Sequence, residues 1–470
     1  MSTWLGIDIG TSSMKGALYS DGCLNFFSGR YLPGTLIDFS HQSPELFAES
    51  FQVFCREIME QSGISGSVEC LALSCHGPSL IAADQQGRPL GAMPTWQDNS
   101  ALNEAGYLFS VYANKRKDAT SWEAKCLADF RSRGKNPPRY YLFPKDYINY
   151  LLTGCFAFDE STASTLSFYD KETGIWKPET IGIPVDFFPP VVPSHGAVGV
   201  TSTEFSRLCG LPDGVTVLGG GIDAYCEAAG AGGVNIGDIV DGSGTSTCLS
   251  ICNPRHTGDL HVIPDKGLTM EVMSNTGSAI QWYSELVGTD SKKMTSLPKF
   301  SAALFLPYLN GERSPYWDEK LQGAFIGLTN DSESRELYQA VLQGITFGIR
   351  QNMEALLEKS SASIILTAGG GAENALWLQL KANIIGKPYA CPEYKDAAPV
   401  GCLYLCSCYC GSSEDFCQEN GIPKLKYVVE PDVSENERQV FDELYGQFKE
   451  VTKQLETNFH LLSDIRQRIT

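Results

Sequence analysis

An α/β fold built in two similar halves is what this sequence predicts, and three observations predict it. Strand-like runs such as CLALSC (Cys70–Cys75) and LIAAD (residues 80–84) alternate with helix-like runs such as PELFAESFQVFCREIMEQSG (residues 44–63). Such alternation implies helices layered on a mixed sheet. An internal echo is the second observation. LGIDIGTSSMKGAL (residues 5–18) and DIVDGSGTSTCLSI (residues 238–251) each offer an apolar strand, an Asp, a Gly-Thr-Ser turn and a second apolar strand. Two such hairpins more than two hundred residues apart suggest two domains on one plan, with a boundary near Asn235. Thirdly, 470 residues with 43% apolar and 19% charged content can bury more than one core. The expected domains are residues 1–235 and 236–470.

Taken in order, the chain opens on two antiparallel strands joined by a polar bend. An amphipathic helix ended by Gly63 follows, then the strands CLALSC and LIAAD. The segment 175–201 is rich in Pro and Val and is expected to wind over the surface, ahead of a helix-like EFSRLCGL and a strand-like GVTVLGGGIDA. After the second hairpin, IILTAGGGAENALWLQLKANIIGKP reads as strand (364–368), glycine turn (369–371) and helix (374–385). It is neither a P-loop nor a dinucleotide fingerprint, since no G-K-[ST] and no G-x-G-x-x-G is present there.

A net charge of −19 argues against nucleic acid or an anionic membrane surface as partner. The one locally basic piece, FRSRGKNPPR (residues 130–139), reads as a solvated loop. No apolar run approaches the roughly 18 residues of a membrane span, and no signal pattern opens the chain, so a cytoplasmic location is expected. The 16 cysteines are then reduced thiols. The C-x-C spacings of Cys402, Cys406, Cys408 and Cys410 do not suit a zinc site and read as a packed helix.

The two hydroxyl-bearing hairpins could hold a polyphosphate, through backbone amides and Thr or Ser hydroxyls, with Lys15 adding positive charge. Asp8, at the end of its strand, is placed to bind Mg²⁺ directly or through water. In VLGGGIDAYCEAAGAG, glycines leave room for a substrate ahead of Asp223, which opens a helix of small residues. Phosphoryl transfer to an alcohol wants such a carboxylate to accept the hydroxyl proton. A helix cap is the plainer use of the same residue.

These pieces, with GAFIGLTNDSESRELYQAVLQ (residues 323–343), LPYLNGERSPYWD (residues 306–318) and PKDYINYLLTG (residues 144–154), resemble the FGGY carbohydrate kinase family, the xylulokinase branch above all. The resemblance runs in order from about residue 5 to 411. It implies two actin-like ATPase (ribonuclease H-like) domains with a cleft between them, ATP and Mg²⁺ as cofactors, and a small sugar as substrate. By it, Asp223 is the catalytic base, Asp8 the metal-associated acid, and Thr11, Ser12 and Lys15 the first phosphate loop. Gly244 and Thr245 match the second phosphate loop, Gly277 and Gln281 nucleotide-contacting positions, and Gly370, Gly371 and Asn374 the adenosine site. His76 and Gly77 fall on the sugar-side His-Gly motif, and Trp96 and Asp98 on the substrate-facing Trp-x-Asp stretch. A homodimer is compatible with it.

Two departures lie on the sugar side. Ser74-Cys75-His76-Gly77 stands where the branch reads Gln-Met-His-Gly, and Pro78 follows. In SWEAKCLADF, Lys125 is kept but Ala128 stands where a tryptophan is expected. A ketopentose such as D-xylulose is the expected substrate; another ketose, gluconate or a polyol is the alternative. A non-catalytic sensor would lack Asp223 or a phosphate loop, and filament or chaperone relatives would lack the C-terminal signature; this chain has all of these.

Overall fold

The computed structural model describes residues 2–64, 68–112, 118–134, 136–288, 296–413, 416 and 424–469. The chain forms two compact units. One is Met1–Val234 with Asn253–Leu268 and Asp396–Ile422, the other Asn235–Cys252 with Thr269–Lys395 and Pro423–Thr470.

The first unit's sheet has the strand order Ala197–Val200, Thr216–Leu218, Cys70–Cys75, Thr3–Ile9, Ser13–Ser20, Cys23–Arg30, and Gly221–Ile222 also pairs with Cys70–Cys75. Thr3–Ile9 and Ser13–Ser20 form the expected hairpin, which sets Asp8 opposite Lys15. Strand Cys70–Cys75 runs parallel to the hairpin's first strand. Alternate side chains of the hairpin (Leu5, Ile7, Ile9, Leu18) join Phe47, Phe51, Phe54 and Ile58 of helix Pro44–Ser62 in one core. That helix starts on the Ser43 side chain, which accepts from the Leu46 amide, and stops at Gly63, whose φ of 67° suits glycine.

The second unit's sheet takes its strands chiefly from Lys266–Met273, Thr247–Pro254, Ile239–Ser243, Ile365–Ala368, Tyr389–Pro392 and Leu425–Val429, in that order. Here too a hairpin has a parallel strand beside its first strand: Ile239–Ser243 pairs antiparallel with Thr247–Pro254 and parallel with Ile365–Ala368. The echo in sequence is therefore an echo in topology. Helix Ser334–Leu357 fills this core with Tyr338, Leu342, Ile345, Phe347 and Ile349.

Two expectations need correction. Residues 175–201 do not merely cover the surface: the segment holds short strands and two 3₁₀ turns, and buries Trp176, Ile181, Ile183 and Phe188. Its aromatic and branched side chains outweigh its prolines. The basic piece is also less of a loop than its composition suggests. Phe130 to Arg133 close helix Trp122–Arg133, where Arg133 pairs with Asp129 one turn back at 2.6 Å; residue 135 lies outside the described residues. The cysteine-rich stretch is helix Ala397–Tyr409, with Cys402 and Cys406 fully buried.

Candidate active site

In the first unit three parallel strand ends meet at one level. Asp8 is in register with Ser74, and Ser74 with Gly221, so Asp8, His76 and Asp223 stand at or just past the carboxyl ends of neighbouring strands. This is where open α/β sheets place ligands. The Ser74 hydroxyl donates to Asp8 Oδ1 at 2.8 Å. Burial pushes the Asp8 carboxyl up from the ordinary carboxylate range, with Ser74 and Lys15 holding it down only in part. The Asp223 carboxyl is pushed well above that range by burial and, next, by the negative charge of Asp8. Ile222 is the N-cap of helix Asp223–Gly230, and Asp223, at its first position, accepts the Ala224 amide through Oδ1 at 2.8 Å. Lys15 pairs with Asp396 at 2.7 Å; burial opposes its charge, but the Asp396 bond and charge raise it overall.

The helix carrying Asp223 is seated by backbone contact. A Cβ at Gly230 would lie 1.9 Å from the Ala397 carbonyl oxygen, and one at Gly401 would lie 1.9 Å from that of Cys226. Only glycines permit this approach to the cysteine-rich helix.

The sugar-side residues surround the first hairpin's bend. Trp96 Nε1 donates to Thr11 Oγ1 at 2.9 Å, and Gln42, fully buried, donates from Nε2 to the Thr11 carbonyl at 2.8 Å. Ser12 is exposed at the bend and Gly77 is half-buried. His76 is buried: Nδ1 is 2.8 Å from the Ser79 hydroxyl, and Nε2 has no hydrogen-bond partner among the described residues. Burial, with the Lys125 charge second, lowers its pKa to about 3, so the ring is neutral. Asp98 is buried and receives the Ser100 amide at 3.0 Å. Lys125, left over from the degraded signature, gives three bonds: to the carbonyls of Pro78 (3.0 Å), Thr95 (2.6 Å) and Thr120 (2.6 Å). It ties the segments after His76 and before Trp96 together, a role its sequence position alone does not reveal.

In the second unit the nucleotide-side residues converge on the second bend. Gly244 and Thr245 are exposed there, above a buried Ser243. The Gly277 amide donates to the Gly244 carbonyl at 3.1 Å and the Ser278 amide to that of Thr245 at 3.0 Å. Gly369 and Gly371 pack on Ser243, since a Cβ at either would come within 2.7 Å of it. Gly370 faces open space. Asn374 caps helix Ala375–Ile385, accepting the Trp377 amide at 3.2 Å. Gln281 lies exposed on helix Gly277–Val287 and donates to Glu285 at 2.8 Å. Of the second unit's expected residues, Gln281 is the outlying one.

Family models match twice: the FGGY family of carbohydrate kinases, N-terminal domain, over residues 131–230 and its C-terminal domain over residues 242–409. The chain belongs to that family. It is a carbohydrate kinase. Among FGGY relatives, a xylulose kinase of Staphylococcus epidermidis is 26% identical, over 96% of this chain and 98% of its own. A solved structure titled a xyloylose kinase, from Brucella ovis, superposes with a TM-score of 0.85 at 26% identity, over 97% and 99% of the two chains. A gluconate kinase from Lactobacillus acidophilus superposes with 0.86 at 21% identity, over 98% and 99%, so the FGGY fold does not by itself choose the sugar. No described helix is long and apolar enough to cross a membrane.

Proposed function

We propose that this FGGY kinase transfers the γ-phosphoryl group of ATP to a hydroxyl of a ketopentose such as D-xylulose. The observation that carries the reading is Asp223: a carboxyl kept basic by burial and by Asp8, at the strand ends where the sugar-side His76 also stands. A raised carboxylate accepts the proton of the attacking hydroxyl more readily than an ordinary one. The neutral His76, with Nε2 unsatisfied in a buried setting, suits a sugar hydroxyl as partner. Trp96 offers an aromatic wall for a C–H face, its indole orientation set by Thr11.

A divalent cation fits the residues present. Asp8 adds its charge to the burial that pushes Asp223 up, Asp396 does the same for Asp8, and Lys15 is already paired with Asp396. Asp8 would hold Mg²⁺, which when bound neutralises charge on the transferring phosphate. The bends at Thr11–Ser12 and Gly244–Thr245 would take the phosphates, and Gly370, Gly371 and Asn374 the adenosine. Exclusion of water from the reacting hydroxyl's surroundings keeps hydrolysis from competing.

The sugar is proposed from the xylulose kinase names of the curated relatives and from the chemistry of the site. Asp98 would repel a carboxylated substrate such as gluconate, and its charge is balanced in part by Lys125. Coupled ADP release over a panel of ketoses, aldonates and polyols tests this. D-Xylulose should be turned over faster than gluconate or glycerol. Efficient gluconate phosphorylation with no ketose activity would reassign the sugar and leave the kinase intact.

A further inference from the structure

The two echoing hairpins have given their acids different fates. Asp8 remains among carboxyls at its strand ends, whereas Asp241 is wholly buried and answered by a lysine. Lys381, itself 1% exposed on helix Ala375–Ile385, places Nζ 2.8 Å from Asp241 Oδ2 and 2.7 Å from Ser243 Oγ. The ammonium also sits over the Trp377 ring, 4.0 Å from its centroid. Ser243 Oγ in turn donates to Asp241 Oδ1 at 2.5 Å and lies 3.0 Å from Thr247 Oγ1. A lysine is costly to bury and its pKa is lowered by that burial, against the pull of Asp241. A hydrophobic residue of similar length would fill the space at no such cost, so stability alone is a poor reason for this cation.

Its position suggests a better one. Ser243 is the residue before the Gly244–Thr245 bend, and it is also the surface on which Gly369 and Gly371 pack. Lys381 comes from the helix that Asn374 caps, directly after the glycine turn. One ammonium therefore joins the base of the second hairpin's bend to the helix that follows the glycine turn. We infer that Lys381 is a positioning residue for ATP, which through Ser243 locks the second phosphate loop to the adenosine loop in the spacing that ATP requires. This rests on the reading of residues 244–245 and 370–374 as nucleotide-binding. Groups held to within a fraction of an ångström bind and orient phosphate far better than loosely held ones.

Three variants of the full chain test it, with ATP and sugar titrated separately by calorimetry. Ser243→Ala keeps the Lys381–Asp241 ion pair and is expected to melt near the wild-type temperature. Lys381→Met combined with Asp241→Asn removes both charges, so that no lone buried charge is left to unfold the protein. Both should weaken ATP binding about tenfold, and raise the KM for ATP with kcat far less changed, while sugar affinity stays at the wild-type value. Gly370→Val, whose Cβ would meet no protein atom within 4 Å, blocks the adenosine loop directly and reports on the underlying reading. If Gly370→Val loses ATP binding but Ser243→Ala keeps it within twofold, the role given to Lys381 is wrong and the nucleotide site stands. If all three bind ATP like the wild type, the nucleotide reading falls and the role of Lys381 with it.

Discussion

At the scale of single residues, the site depends on a few groups whose surroundings set their chemistry. Asp223 sits at the first turn of a helix, where the backbone dipole favours a negative charge. Burial and Asp8 nevertheless win, and its pKa rises. Asp223→Asn keeps the shape and removes the proton acceptor. We expect kcat to fall by about 10²-fold or more, with sugar binding by calorimetry unchanged. A variant that kept more than about a tenth of the wild-type kcat would show that another group is the base. His76 is the opposite case, a neutral ring with one nitrogen engaged by Ser79 and the other unsatisfied. His76→Ala should raise the KM for the ketose by the equivalent of about 1–3 kcal/mol, since it leaves a substrate hydroxyl without its partner. An unchanged KM would remove His76 from the sugar site.

At the scale of elements, the loops are held by buried side chains and close backbone contacts. In the segment LPYLNGERSPYWD, the buried Glu312 accepts the Ser274 amide at 2.6 Å and the Arg313 amide at 2.8 Å through Oε1. Its Oε2 is buried without a hydrogen-bond partner among the described residues. Burial raises its pKa from 4.5 to about 7. Between those two values the folded chain binds more protons here than the unfolded one, so this group's contribution to stability is full below 4.5 and is lost as pH rises to about 7. Glu312→Gln mimics the protonated form and should flatten that part of the pH profile. Urea midpoints measured at both ends of the window decide it: a variant with the wild-type slope would mean that Glu312 is ionised throughout. The cysteine-rich helix shows the same principle in packing, since its Gly401 meets the Cys226 carbonyl and so fixes the helix that Asp223 opens.

At the scale of the whole molecule, the sugar-side candidates belong to the first compact unit, whereas the nucleotide-side candidates are divided between the two. His76, Trp96, Asp98 and Asp223 lie in the first, with Asp8 and the phosphate candidates Thr11, Ser12 and Lys15, and Gly244, Thr245, Gly277, Gln281, Gly370, Gly371 and Asn374 in the second. A defect confined to the second unit's set should therefore leave sugar binding intact. Thr245→Val removes a hydroxyl from an exposed bend with little structural consequence. Its ATP-dependent rate should drop, while sugar titrated in the absence of nucleotide binds as before. A large loss of sugar affinity would mean that the second bend has been given to the wrong substrate.

The division between sequence and tertiary structure follows from the range of the forces involved. Both hairpins, the glycine turn with its helix, and the helix opened by Asp223 were legible in the sequence. Each is specified by neighbours along the chain: alternating apolar residues, capping side chains, and glycines where the backbone must bend. The FGGY motifs were legible for the same reason, being short and contiguous. What no local pattern could tell is which distant groups would be brought together in low dielectric. Lys381 reads as an ordinary helical lysine and Lys125 as a remnant of a family signature, yet one is sealed against Asp241 and the other against three carbonyls. Gln42 carries no motif, and its grip on Thr11 exists only because two distant segments meet. The raised pKa of Asp223 belongs to the same class. Charge, burial and hydrogen bonding act through space, so only the folded chain decides how tightly such an acid holds its proton.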